Sequence, residues 1–91
     1  MTDSPIELLI KNQKGLHARA AASFVKCVSE YDAEVVVEKD GQSVDGSSIL
    51  GLMMLSASKG STIKVSATGT DASVVLESLT DLVDSLFGEE Q

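Results

Sequence analysis

Residues 14–26, KGLHARAAASFVK, contain His17, the only histidine in the chain. Gly15 stands two positions before it and Arg19 two positions after it. Alanine-rich sequence follows, so a helix is predicted to begin near Ala18. The first N–H groups of such a helix, at Ala18, Arg19 and Ala20, have no intrahelical partners, and the positive end of the dipole faces the residue before them. That arrangement attracts anions. Arg19 adds a planar, permanently charged fork suited to phosphate oxygens. Gly15 permits a tight turn or a close backbone approach to a ligand. A neutral imidazole beside this cradle is a nucleophile for phosphorus and can hold the phosphoryl group afterwards.

Phosphoryl transfer asks mainly for positioning and charge neutralisation. On these residues alone, a plain loop histidine beside a helix start stands as an equal alternative. Metal ligation is disfavoured, because no second histidine and no Cys or Asp cluster lies at ligand spacing. A Ser-His-Asp hydrolase would lack both its partners and a G-x-S-x-G elbow. No P-loop is present, so a nucleotide is not the expected phosphoryl donor.

The elements that must position this stretch can be read from periodicity. Residues 6–10, IELLI, predict a strand. Residues 18–29 place Ala21, Phe24, Val25 and Val28 on one helical stripe. AEVVVE (33–38) and QSV (42–44) read as strands joined at Asp40-Gly41, a strong hairpin signal. SSILGLMML (47–55) reads as a short helix capped by Ser47 or Ser48, with Gly51 as an interruption. TIKVSA (62–67) alternates like a strand with one buried face. Val75, Leu79, Leu82, Val83 and Leu86 predict a last helix over about 71–87, capped by Thr70 or Asp71, and the tail GEEQ is expected to fray. The order is β-α-β-β-α-β-α, an α+β two-layer sandwich that buries one face of the sheet against the helices.

Composition narrows the function. At 91 residues, the chain is expected to form one domain over 1–91. With 43% hydrophobic and 23% charged residues it fits an ordinary soluble globular protein, and a cytoplasmic location is expected. Phe24, Tyr31 and Phe87 are its only aromatics, so the core must be aliphatic. Cys27 has no disulfide or ligand partner and reads as a small apolar helix residue. No run approaches a membrane span. The net charge of −7 argues against nucleic acid. Lys11, Lys14, Arg19 and Lys26 nevertheless form a basic island across residues 11–26 that holds no carboxylate, and His17 lies inside it. No cofactor and no metal are expected.

Two separated motifs carry a resemblance. GLHARAA (15–21), SSILGLMML (47–55) and the element order over nearly the whole chain resemble the HPr family, the histidine-containing phosphocarriers of the bacterial phosphoenolpyruvate-dependent phosphotransferase system. Gly15, Leu16, His17, Ala18, Arg19 and Ala21 match the family signature G-[LIM]-H-A-R-P-A; Ala20 stands where that signature has proline. The resemblance implies an open-faced sandwich with a four-stranded antiparallel sheet, order 1-4-2-3, and three helices on one face. It implies that His17 takes a phosphoryl group on Nδ1 from enzyme I and passes it to EIIA-type proteins, serving sugar uptake or regulation. The protein would then be a covalent carrier and not an enzyme. Arg19 would contact the phosphoryl group in transit, with Gly15, Ala18 and Ala20 around it. Ser48 would be a regulatory phosphorylation site for an HPr kinase/phosphorylase. Ile49, Leu50 and Met53 would form a docking patch, and methionine suits a surface with several partners. A monomer is expected.

Alanine at position 20 loses the fixed φ of proline but adds helix propensity and one more N–H donor at the anion site. The variant and the acidic composition lean toward a nitrogen-type regulatory branch without a transport role. A pure interaction module lacking phosphohistidine would keep the patch without the chemistry. DSL (84–86) matches the prosthetic-group triplet of acyl carrier proteins, but Ser85 lies near the end of the final predicted helix, and the strands conflict with an all-helical carrier.

Overall fold

The computed structural model describes residues 5–89. Strand β1 (Ile6–Leu9) leads through a loop into helix α1 (Ala18–Ser29). The hairpin β2 (Glu34–Lys39) and β3 (Gln42–Asp45) follows, then α2 (Ile49–Met54), β4 (Thr62–Thr68) and α3 (Ala72–Asp84), and a 3-10 turn at Leu86–Gly88 closes the chain. The four strands form one antiparallel sheet in the order β1-β4-β2-β3. This is the expected α+β open-faced sandwich, with strand boundaries within one residue of the predicted ones.

Alternation along the strands decides which face is covered. Leu8, Val35, Val37, Ile63, Val65 and Ala67 are buried toward the helices. Glu7, Leu9, Glu34, Val36 and Lys64 point to the open face and are exposed. Registry reinforces the pattern: Leu8 sits opposite Ile63, and Val37 opposite both Val65 and Val44. Ala20, Ala21, Phe24 and Val28 of α1 close over this layer with Leu52 of α2 and Val75, Leu79 and Val83 of α3. Phe24 is the largest fully buried side chain, seated among aliphatics. Asp40 (φ 52°) and Gly41 (φ 83°) adopt the paired left-handed conformation that the hairpin requires.

Three expectations are corrected. The last helix ends at Asp84 instead of running to 87, because Leu86 (φ 62°) and Phe87 (φ 55°) turn left-handed and bury Phe87 under the sandwich. Asp71 occupies the N-cap of α3 without capping it; its carboxylate instead accepts the Asp32 N–H at 2.7 Å, tying the α1–β2 loop to α3. The tail is not frayed where it is described: Glu89 is held, as described below, and the remainder of GEEQ beyond it lies outside the described residues.

Candidate functional site

The site begins at Asn12. Its side chain is fully buried; its backbone carbonyl accepts the Gly15 N–H at 3.1 Å, and its side-chain amide donates to the Gly15 carbonyl at 2.7 Å. The result is a tight turn with Gly15 at φ 67°. The next N–H, of Leu16, donates to the Ala57 carbonyl at 2.8 Å and pins the turn to the loop after α2. A Cβ on Gly15 would lie 2.5 Å from the Ala57 oxygen. The turn expected at Gly15 is thus also a close approach to the backbone of Ala57 and Ser58.

His17 follows as the N-cap of α1, in extended backbone (φ −77°, ψ −179°). Its ring does not cap the helix. The first N–H of α1 with a carbonyl partner is that of Ala21, on the His17 carbonyl at 2.8 Å. Ala18, Arg19 and Ala20, the three residues after His17, therefore have N–H groups without backbone acceptors among the described residues, as the sequence predicted. Ala20 is buried while Ala18 and Arg19 are exposed, and Arg19 makes no ion pair among the described residues. A cavity of about 220 Å³, lined by Lys14, Leu16, His17, Ser56, Ala57 and Ser58, opens beside the imidazole. It is large enough for a tetrahedral oxyanion and carries a lysine and two hydroxyls at its walls.

Sequence reasoning missed two residues here. Glu89 places one carboxylate oxygen against His17 Nε2 and accepts the Asn12 amide on the other at 3.0 Å. Burial pushes its carboxyl up, but hydrogen bonds from Asn12 and His17 and the nearby charges of His17 and Arg19 together hold it below the ordinary carboxylate value. The basic island is thus opposed from the far end of the chain: Glu89 meets His17, and Asp84 pairs with Lys11 at 3.0 Å. Nothing in the local sequence signals a contact over 72 residues.

Ser48, and not Ser47, caps α2: its hydroxyl accepts the Gly51 N–H at 2.9 Å. The Ser47 N–H and hydroxyl both donate to Asp45 and hold its carboxyl low. Gly51 lets α2 lie close to β3, where a Cβ would come 3.2 Å from that of Val44. Of the expected docking residues, Leu50 is 70% exposed, Ile49 41% and Met53 40%; Met54, at 61%, belongs to the same surface, whereas Leu52 and Leu55 face the core. Among the described residues no group of three or more His, Cys, Asp or Glu could hold a metal ion, and no helix is long and apolar enough to cross a membrane.

The family model for the HPr component of the phosphotransferase system, described by its phosphorylation site, matches residues 6–85. The chain belongs to the HPr family. It is 43% identical over 89 residues to the phosphocarrier protein HPr of Neisseria meningitidis serogroup A, covering 98% of both chains. It is 38% identical over 89 residues to the phosphocarrier protein NPr of Shewanella violacea, again covering 98% of both. The crystal structure of an HPr from Thermoanaerobacter tengcongensis superposes with a TM-score of 0.92 at 43% identity, over 98% of this chain and 100% of that one. HPr-family membership and the open-faced sandwich thus agree with the expectations drawn from the two motifs.

Proposed function

We propose that this chain is a single-domain phosphocarrier, residues 1–91, that accepts a phosphoryl group on His17 from phosphorylated enzyme I and passes it to EIIA-type proteins. The observation that carries this reading is that His17 directly precedes three N–H groups at the start of α1 that have no partner among the described residues. Those donors and the Arg19 guanidinium neutralise the charge of the incoming group. Ala20 contributes a third donor that proline could not. Gly15 acts indirectly, by holding the loop that presents the ring. The chain carries the group covalently and does not itself turn over a substrate; no cofactor is needed, and the cytoplasm, as a monomer, is its expected setting.

Ile49, Leu50, Met53 and Met54 supply the docking surface for the donor and the acceptors. Ser48 is the regulatory site for an HPr kinase/phosphorylase: a phosphate at the N-terminus of α2 is favoured by the helix amides and places negative charge beside that surface. Similarity to an NPr keeps a nitrogen-type regulatory carrier as a second reading beside sugar uptake, and capture of EIIA partners on the phosphorylated protein separates the two.

Phosphoenolpyruvate with enzyme I should label the protein with an acid-labile phosphate, and His17→Ala should abolish the label. Retention of the label in that variant would refute the assignment.

A further inference from the structure

Glu89 lies outside the signature, yet among the described residues it is the one acidic side chain in contact with the imidazole. The backbone makes an unusual effort to bring it there. Leu86, Phe87 and Gly88 are consecutively left-handed, at φ 62°, 55° and 78°, and the Phe87 ring is buried as the anchor. Such a run is costly for leucine and phenylalanine.

The hydrogen bonds around Glu89 have only one consistent polarity. The Asn12 amide donates to both the Gly15 carbonyl and Glu89 Oε1; reversing that amide would turn its oxygen onto two acceptors. Asn12 therefore fixes the carboxylate from one side. Glu89 Oε2 then meets His17 Nε2, and an ionised carboxylate can only accept. The proton resides on Nε2, and in the neutral ring the lone pair is left on Nδ1.

We propose that Glu89, oriented by Asn12, is a positioning residue that sets the His17 tautomer and balances the charge of the phosphorylated ring. This rests on the reading of His17 as phosphoryl acceptor. The Nδ1 lone pair attacks the phosphorus of the donor, the Nδ1–P bond forms, and the bond to the donor breaks with its electron pair returning to the donor. The ring becomes a cation with Nε2–H still on Glu89. When an acceptor attacks the phosphorus, the pair of the P–Nδ1 bond returns to the ring. No proton has to move in either direction. Of the other charged groups near the ring, Arg19 attracts the Glu89 carboxylate, Lys14 lines the cavity beside the ring, and Lys11 is engaged by Asp84.

The test is nitrogen NMR of the His17 ring in the full-length, unphosphorylated protein, at a pH where the ring is neutral. The parent should be chiefly the Nε2–H tautomer. In Glu89→Gln, Asn12 holds the side-chain carbonyl, so the new NH2 faces Nε2 and the ring should shift toward the Nδ1–H form. Labelling by enzyme I should slow by about tenfold, as when an orienting partner of a histidine is removed. Glu89→Ala should leave the two tautomers mixed. An unchanged tautomer ratio in Glu89→Gln overturns the proposal. Failure of the parent protein to be labelled would instead overturn the phosphocarrier reading, and the NMR result would still decide the tautomer.

Discussion

Gly15 is fixed by its backbone and by its neighbours across the chain. Its positive φ and the 2.5 Å separation between an added Cβ and the Ala57 oxygen leave no room for a side chain. Gly15→Ala should lower stability by at least about 1 kcal/mol and slow phosphorylation by displacing the turn that carries His17. Urea denaturation and the labelling rate measure the two effects, and an unchanged midpoint would contradict the close packing. The turn at Gly15 and the helix start at Ala18, just after His17, were legible in the sequence because a helix start has a local grammar. Asn12 and Glu89 were not, because their roles exist only once the two ends of the chain meet.

At the scale of elements, α2 depends heavily on its first residue. It has six residues, too few for intrinsic stability, and the Ser48 hydroxyl on the Gly51 N–H caps its start. Ser48→Ala should cost about 1 kcal/mol and speed amide exchange across Ile49–Met54. If exchange there matches the parent, the cap does not hold the helix. The same variant should lose any acid-stable label added by ATP and an HPr kinase. Helix α1 was legible to the residue because alanine propensity and the stripe through Phe24 and Val28 agree. The end of α3 was not: Leu86 continues the apolar period, and periodicity cannot tell a further helical turn from a left-handed hook that buries Phe87.

For the whole molecule, charge sets the response to pH. Fourteen carboxylate side chains against seven cationic ones give the −7 net charge and a self-repulsion at neutral pH. Acidification first relieves that repulsion. Glu89 and Asp45, however, have folded-state pKa values below their ordinary ones. Their contribution is present above the unfolded pKa, near about 4, and is lost as pH falls through the lower folded value. Asp45 is exposed and contributes little. The thermal midpoint should hold or rise slightly from pH 7 to about 5 and fall below about 4, with a shallower acid fall in Glu89→Gln. A midpoint still climbing at pH 3 would mean that repulsion outweighs the held carboxylates.

By itself the sequence determined the element order, the buried faces of strands and helices, and a histidine at the mouth of a helix inside a basic island. Each of these follows from interactions between residues a few positions apart, where periodicity and capping operate. Only the tertiary structure decided that the turn before His17 is clamped to the 57–58 loop, that Met54 joins the exposed patch, and that a carboxylate from residue 89 answers the imidazole. Those contacts come from closing long loops around a shared core, and no local pattern encodes which distant side chain arrives.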